Sequence, residues 1–382
     1  MPLIAAAELT RFVEAILKAG GAPPHKASIA AASLVGSNLR GVDSHGVLLV
    51  PRYIDKLRSG EIDANADGRV LSESGACMLF DGENGIGQWI SEQCCGHAIR
   101  MAQANGLGMV VARDSNHFGA AAWWAQKIRD SGAGPCPATT ASGAMTGGAT
   151  GAMTDAMTDG TGGGTSGGMI GIVLCNASPL VPPWQGKQGR IGTNPICMAV
   201  PGPWLLDMAT TTVAANRIFK AVINGQEEIP AGWALDSGGV PTTSAGAAAK
   251  GLLMPLGGYK GSGLGMMVEI LCAVLAGSAM ANEVGGIRVA GRPSRTSQTF
   301  LAIDIARFMS VAEFTARMEK LVGIMKSTPA APGYSEVLVA GDPEWRTEAE
   351  RLRNGIPVDE GIWKELCETA AHLGVTAVPA GA

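Results

Sequence analysis

Three apolar, strand-like runs follow one another between residues 169 and 209 with no helical pattern between them. They are MIGIVLC at 169–175, NPICMAV at 194–200 and WLLDMA at 204–209. A doubly wound parallel sheet inserts a helix between successive strands, because parallel neighbours need a long crossover connection. The order of these runs therefore argues against such a sheet. Together with the helical stretches elsewhere, it predicts a mixed α/β (α+β) fold.

The remaining elements are predicted from periodicity and from residues that end helices. Leu9, Phe12, Val13, Ile16 and Leu17 repeat at helical spacing and are followed by Gly20 and Gly21, which predicts an opening helix that ends there. Further helices are expected at about 26–39, 88–104, 120–130, 263–276, 311–326, 344–353 and 359–372, and further strands at 107–113, 299–305 and 335–341. Ser115 or Asn116 is expected to cap the helix at 120–130.

Composition excludes several classes of partner. The longest apolar run, 264–281, contains Glu269, which would cost about 3 kcal/mol in a bilayer, so a buried helix is predicted and no membrane. The net charge of −4, with Lys and Arg scattered, argues against nucleic acid. Residues 1–20 lack an apolar leader, and the eight cysteines show no CxxC, so we expect reduced, mostly buried thiols in a cytoplasmic protein and no metal site.

Residues 133–168 are almost wholly Gly, Ala, Thr, Ser and Met, with AMTG at 144 and AMTD at 152 and 156. Such a segment has little with which to build a core, so it is interpreted as a flexible insertion. It contains GGGTSG at 162–167, a formal GxGxxG match. No strand closely precedes it and no acid follows about 20 residues on, so we reject it as a phosphate site.

Two of the five histidines stand in polar, glycine-flanked turns. NHFG at 116–119 lies at a predicted strand-to-helix junction, where free N–H groups attract anions and keep an imidazole neutral. His117 is thus a candidate proton acceptor, with a helix-cap histidine as the alternative. GVDSHGV at 41–47 contains Ser44 and His45. This motif is equally compatible with a functional site and with a turn that caps a helix. No GxSxG motif supports a hydrolase.

Two further motifs allow a functional and a structural interpretation. GGYKGSGLG at 257–265 places Lys260 before an apolar helix, which suits contact with a phosphate or carboxylate but also a tight turn with an exposed lysine. LLDMATT at 205–211 ends a predicted strand with Asp207. That carboxylate needs a partner, and it is suited to orient a histidine, hold a ribose hydroxyl or bond to nearby backbone.

In this order, the motifs resemble those of the malate/L-lactate dehydrogenase family that is unrelated to the Rossmann-fold lactate and malate dehydrogenases. Ureidoglycolate dehydrogenase, sulfolactate dehydrogenase and the Δ1-piperideine-2-carboxylate reductases belong to this family. The resemblance covers nearly the whole chain except 133–168, which the family pattern lacks. It is carried by SHG (44–46), NHFG, CNASPLVPPW (175–184), GRIGTNPI (189–196), LLDMAT, IPAGWALD (229–236) and PLGGYKGSGLGMMVEIL (255–271).

The resemblance implies a non-Rossmann nicotinamide-binding domain on a largely antiparallel sheet, at 119–289, and a discontinuous second domain from 1–118 and 290–382. It also implies a homodimer, NAD or NADP as cofactor, and a small 2-hydroxy or 2-oxo carboxylate as substrate. The implied catalytic residues are His117, His45, Ser44, Asp207 and Tyr53. The implied cofactor contacts are His117, Phe118, Gly119, Ala120, Ala121, Ser178, Asp207, Met208, Ala209, Lys260, Gly341, Asp342, Pro343, Glu344 and Arg346.

One position departs from the family pattern. An arginine suited to grip a substrate carboxylate usually stands four residues after the histidine of SHG, where this chain has Leu49. Arg52 lies one turn further on. The departure leaves two alternatives to a hydroxy-acid dehydrogenase: a cyclic imino acid reductase, and a homologue that binds nucleotide without turnover.

Overall fold

The computed structural model describes residues 1–131 and 168–379. The insertion predicted at 133–168 lies outside the described residues except for Gly168. The α-helices, in chain order, are α1 Ala6–Ala19, α2 Pro24–Leu39, α3 Val50–Ser59, α4 Gly87–Asn105, α5 Ala121–Asp130, α6 Ala215–Ile223, α7 Ala245–Ala248, α8 Tyr259–Glu269, α9 Val311–Lys326, α10 Asp342–Asn354 and α11 Glu360–His372.

Seven of the strands form one large sheet. The strands, in chain order, are β1 Leu3–Ile4, β2 Arg69–Ser74, β3 Cys77–Asp81, β4 Leu107–Ser115, β5 Met169–Cys175, β6 Ile196–Ala199, β7 Leu205–Met208, β8 Ala234–Leu235, β9 Pro241–Thr242, β10 Leu252–Leu253, β11 Thr296–Asp304 and β12 Ile356–Pro357. The large sheet has the order β2-β3-β4-β11-β5-β6-β7. Only β3 and β4 are parallel neighbours, so the largely antiparallel sheet is confirmed.

Helices cover both faces of this sheet. On one face α4 and α5 pack over Val110, Val173 and Phe300 of the central strands. Glycines permit this close approach, because a Cβ on Gly108 would lie 2.0 Å from the carbonyl oxygen of Ala98, and Gly171 faces α5 in the same way. On the other face Val268 and Cys272, from α8 and the π-helical turn Ile270–Val274, contact β5.

A second core joins the two ends of the chain. Residues of α1, α2 and α3 pack with α11, and β1 pairs with β12 through Leu3 opposite Pro357. The helix boundaries expected from periodicity agree with the structure to within two residues except at α8, which begins at Tyr259 and continues as a π-helical turn from Ile270. The helices α3, α6 and α7 and the strands β1, β2, β3, β8, β9, β10 and β12 were not anticipated. The division of the chain into two domains, 1–118 with 290–382 and 119–289, stays a prediction. The large sheet takes strands from both parts.

Three local predictions are wrong. Residues 335–341 form no strand, and a single backbone bond, from Leu205 N–H to Ala340 O at 3.0 Å, joins them to β7. Neither Ser115 nor Asn116 caps α5, whose N-cap is Ala120. The apolar run 264–281 was expected to form a buried helix, but only one of its faces is buried and the other is exposed to solvent. Among the described residues, no helix is long and apolar enough to cross a membrane.

Candidate active site

A cavity of about 460 Å³ opens where β4, β5 and β7 end and where α5 and α10 begin. Its walls are mainly backbone and small side chains, which permit close approach by a ligand. The lining includes Arg40, Ser44, His45, the run 117–122, the run 175–178, Thr193, Pro195, Asp207, Ala209, Gly286, Ile287, the run 339–341, Pro343 and Glu344. The cavity therefore collects segments that are far apart in sequence.

His117 lies in the turn between β4 and α5. Its Nδ1 is 2.6 Å from the Tyr53 hydroxyl, which in turn receives a 2.7 Å hydrogen bond from Gln88 Nε2. Burial lowers the pKa of His117 to about 3, and the neighbouring His45 and Arg288 charges act in the same direction. At neutral pH the ring is thus uncharged and able to accept a proton.

His45 lies beside His117 in a short 3₁₀ turn that follows α2. The two rings are stacked, with centroids 5.6 Å apart and planes inclined by 18°. Ser44 Oγ lies 2.8 Å from His45 Nδ1, so the pair predicted from SHG is in contact. Burial, and then Arg288, lower the pKa of His45 to about 4. Two neutral imidazoles therefore stand side by side at the cavity wall.

Asp207 ends β7 and holds the start of α5. Its Oδ2 accepts a 2.9 Å hydrogen bond from the Ala122 N–H, one of the groups that a helix N-terminus leaves without an internal partner. Desolvation by the surrounding protein atoms raises the pKa of Asp207 from its ordinary value of 3.8 to about 6, although the Ala122 bond and Arg40 oppose that change and the side chain is exposed at the cavity. This contact matches the backbone-bonding alternative, and a role for Asp207 as relay partner stays a prediction.

Replacing Asp207 with asparagine should change how stability depends on pH. The folded state binds the Asp207 proton more tightly than the unfolded chain, so the stabilisation is complete below about pH 4 and is lost as pH rises through about 6. We expect the free energy of unfolding of Asp207→Asn, relative to wild type, to rise over this window in denaturant titrations. A difference that is constant between pH 4 and 7 would contradict the raised pKa of Asp207.

Two helix N-termini and three glycines shape the rest of the cavity. The N-cap residues of α5 and α10, Ala120 and Gly341, provide no side-chain cap of their own, and at α5 the Asp207 carboxylate takes the Ala122 N–H instead. Gly119 and Gly341 have φ of 83° and 101°, which only glycine adopts without strain. A Cβ on Gly286 would lie 2.5 Å from Ser178 Oγ. These features suit an elongated ligand with an anionic centre.

The buried Glu269 holds the wall at 175–178. Its carboxylate accepts hydrogen bonds from Asn194 Nδ2 at 3.0 Å and Asn176 Nδ2 at 3.4 Å. Asn194 Oδ1 in turn accepts from the Ala177 N–H at 3.0 Å. Glu269, whose charge made a membrane helix unfavourable, therefore stabilises the cavity wall from behind.

Most of the predicted site residues meet at this cavity. Those that line it are Ser44, His45, His117, Phe118, Gly119, Ala120, Ala121, Ser178, Asp207, Ala209, Gly341, Pro343 and Glu344. Tyr53 lies behind His117 instead. Met208, Lys260, Asp342 and Arg346 do not line the cavity: Lys260 is exposed, Asp342 pairs with Lys326, and Arg346 pairs with Glu336. Their roles as cofactor contacts stay predictions.

The sequence interpretation missed Gln88, Arg40 and Arg288, none of which lies in a motif that suggests chemistry. Leu49, at the position of the usual arginine, is 1% exposed and packs in the core with α1 and α2. It faces no part of the cavity. Within residues 1–131 and 168–379, no group of three His, Cys, Asp or Glu side chains is placed to hold a metal ion.

Comparison with known proteins supplies the family. The profile described as malate/L-lactate dehydrogenase matches residues 4–157 and 164–367. A malate dehydrogenase of Pyrococcus abyssi is 33% identical over 379 residues, covering 96% of this chain and 94% of the relative. The solved sulfolactate dehydrogenase of Methanocaldococcus jannaschii is 29% identical with a TM-score of 0.83, covering 98% of each chain.

A third comparison concerns the fold alone. The Δ1-piperideine-2-carboxylate reductase of Pseudomonas syringae superposes with a TM-score of 0.74 at 23% identity, covering 97% of this chain and all of the other. The profile covers most of the chain, and the relatives match it over nearly their whole length. The chain therefore belongs to the malate/L-lactate dehydrogenase family.

Proposed function

We propose that the chain is an NAD(P)-dependent dehydrogenase that oxidises a small 2-hydroxy carboxylate to the 2-oxo acid, and catalyses the reverse reaction. The observation that carries this proposal is the neutral His117 ring at the wall of a cavity built from backbone and small side chains. An uncharged imidazole accepts a hydroxyl proton near neutral pH. Malate and sulfolactate, after which its relatives are named, are substrates of this class.

The residues around the cavity fit a dinucleotide. The start of α10, which no side chain of its N-cap residue closes, would meet its phosphates, and Gly119, Gly286 and Gly341 line the cavity where it would lie. When bound, the nicotinamide ring supplies the acceptor for the hydride that leaves substrate C2. Nothing in the wall distinguishes a ribose hydroxyl from a 2′-phosphate, so the proposal covers both NAD and NADP.

His117 is the proposed proton acceptor. The lone pair of its Nε2 takes the hydroxyl proton, the substrate O–H bond breaks as the N–H bond forms, and the imidazolium returns the proton in the reverse direction. The Ser44–His45 pair lies against the same ring and is the alternative carrier. Desolvation of both partly buried rings favours the uncharged form of each.

Arg288 is the proposed partner of the substrate carboxylate in place of the arginine absent at position 49. It follows Gly286 and Ile287, which line the cavity, and its charge acts on both His45 and His117. Lys56 Nζ holds this loop by bonds to Val289 O and Arg292 O. By contrast, Arg52 already pairs with Asp55 and Glu365.

A spectrophotometric screen tests the proposal. Purified enzyme is given each dinucleotide with malate-, lactate- and sulfolactate-type substrates, and reduced nicotinamide is followed by absorbance. We expect turnover with a hydroxy acid. Turnover with piperideine-2-carboxylate alone would establish the imine reductase that shares the fold, and dinucleotide binding without turnover of any of these substrates would establish a non-catalytic homologue.

We further propose a cytoplasmic homodimer. The seven described cysteines are free thiols, five of them buried, which suits a reducing compartment. The outward face of α8 and of the π-helical turn exposes Met267, Ile270 and Val274 at helical spacing. Apolar residues grouped in this way are typical of a subunit interface.

The double substitution Ile270→Asp and Val274→Asp should convert the dimer into a monomer. Two carboxylates would lose their water in the interface without a partner, which costs several kcal/mol. Sedimentation velocity measures the change, and Leu3→Asp, an equally exposed apolar position on β1, is the matched control. A wild-type protein that sediments as a monomer, or a double variant that stays dimeric, would overturn this assignment.

A further inference from the structure

A buried chain of hydrogen bonds stands behind His117, on the side away from the cavity. Gln88 Nε2 lies 2.7 Å from the Tyr53 hydroxyl oxygen, which is 2.6 Å from His117 Nδ1 and 3.1 Å from the His117 carbonyl oxygen. Gln88 is fully buried in the first turn of α4, and Tyr53 is 2% exposed on α3. Gln88 and Tyr53 are therefore shielded from solvent.

The three contacts of Tyr53 can be satisfied together in one way. A phenol donates one hydrogen and accepts two. The Gln88 amide N–H donates to the phenol oxygen, and the His117 carbonyl oxygen can only accept, so the Tyr53 hydrogen points to that carbonyl. The remaining partner, His117 Nδ1, must then donate to Tyr53. Burial raises the pKa of Tyr53, so its hydroxyl keeps the hydrogen that this arrangement needs.

The opposite tautomer satisfies fewer short contacts. If Tyr53 donated its hydrogen to an unprotonated Nδ1, no hydrogen would remain between the Tyr53 oxygen and the His117 carbonyl oxygen. These two oxygens would then lie 3.1 Å apart without a hydrogen bond. That tautomer would gain only the longer 3.3 Å contact from the Gly119 N–H to Nδ1. The shorter contacts therefore favour a hydrogen on Nδ1.

We propose that Gln88 is a positioning residue: by donating to Tyr53 it directs the Tyr53 hydrogen to the His117 carbonyl and holds His117 as the Nδ1–H tautomer, with the Nε2 lone pair free for the substrate proton. The catalytic meaning of this tautomer rests on the function proposed above. The same hydrogen bonds remain in the imidazolium that forms when Nε2 is protonated. No hydrogen bond has to be rearranged during the proton transfer.

The orienting groups carry no charge. A carboxylate behind a catalytic histidine stabilises its imidazolium form, whereas an amide and a phenol fix the tautomer without that stabilisation. This agrees with a histidine that stays neutral and gives its proton back readily. Gln88 thus sets the direction of the lone pair and leaves the ring a weak base.

Two substitutions at Gln88 separate these effects. Gln88→Met removes the donor, so the Tyr53 hydrogen is free to turn to Nδ1. We expect a mixture of tautomers and a fall in kcat of about tenfold, the value of one hydrogen bond, with KM little changed. Gln88→Glu lets a carboxylate accept the Tyr53 hydrogen. It should retain the Nδ1–H tautomer and move the acid limb of the kcat/KM profile for oxidation upward by at least about one pH unit.

The tautomer is measured by ¹⁵N NMR of the full-length protein labelled at histidine, with His117 assigned by its absence in His117→Gln. Ser91→Ala, a buried polar change one turn further along α4, is the matched control, since Ser91 Oγ bonds only to Gly87 O. We expect Nδ1 protonated and Nε2 bare in wild type and in Ser91→Ala, and a changed Nδ1 signal in Gln88→Met.

Two results would overturn the inference. One is a wild-type spectrum with Nε2 protonated and Nδ1 bare, which needs no variant to fold. The other is a Gln88→Glu enzyme that has wild-type thermal stability and an unshifted pH profile. The NMR measurement requires no turnover, so a chain that never transfers hydride but has the Nδ1–H tautomer would contradict the proposed function and leave the role of Gln88 in place.

Discussion

Replacing His117 with glutamine is expected to lower kcat for hydroxy-acid oxidation by at least about 100-fold, the usual contribution of a positioned general base. Glutamine fills a similar volume but cannot take up a proton. Because the ring acts on the reacting hydroxyl and not on the bulk of the ligand, KM should change much less than kcat. Steady-state rates with saturating dinucleotide measure both constants.

His97→Gln is the matched control for this experiment. His97 is partly buried in α4 against Phe80 and has no part in the cavity. We expect it to leave turnover near wild type. If His117→Gln were also near wild type while His45→Gln lost activity, the proton carrier would be the Ser44–His45 pair.

Replacing Arg288 with glutamine is expected to raise KM for the hydroxy acid by roughly 10- to 100-fold, since a charge-assisted hydrogen bond contributes about 1.5–3 kcal/mol. The fall in kcat should be smaller, because the substrate carboxylate is bound before and during the reaction. The affinity for the dinucleotide alone, measured by fluorescence titration, should be unchanged. This combination separates loss of a carboxylate partner from damage to the fold.

Arg52→Gln provides the comparison. Arg52 also lies near the site, but its guanidinium is about half exposed and is paired with two carboxylates. Removing an exposed ion pair costs little, so KM should change less than about threefold. Should Arg52→Gln raise KM while Arg288→Gln does not, the carboxylate would bind one turn beyond Leu49, and the assignment of Arg288 would be wrong.

The fold was largely predictable where local pattern decides it. The helical spacing from Leu9 to Leu17 and the glycines after it place α1 correctly, and the uninterrupted strands at 169–209 exclude a doubly wound sheet. SEVLVAG at 335–341 has the composition of a strand, yet only one backbone bond joins it to β7. Whether an apolar run finds a full ladder depends on distant partners, which a local pattern does not contain.

The start of α5 shows the same limit. The sequence suggested a cap from a nearby Ser115 or Asn116, but the residue that bonds to the helix N-terminus is Asp207, 85 positions later than Ala122. Asn116 instead donates to Asn84 O and Gly85 O. Long-range packing thus replaced a local cap with the carboxylate of Asp207 at the cavity.

The candidate site was predictable only in its motif residues. His117 and His45 stand in short polar turns that a sequence displays directly. Gln88 and Tyr53 are 35 positions apart, and Tyr53 and His117 are 64 apart, so their contacts exist only after α3 and α4 pack together. Arg288 lies in a segment without any chemical pattern.

His117 is expected to face the reacting oxygen of a substrate that lies beside a bound nicotinamide. A crystal structure with the dinucleotide and a 2-oxo acid analogue tests it most directly. We expect the analogue's 2-oxo oxygen at about 3 Å from His117 Nε2, in the cavity between α5 and α10. A dinucleotide bound elsewhere on the molecule, with His117 out of contact with either ligand, would contradict it.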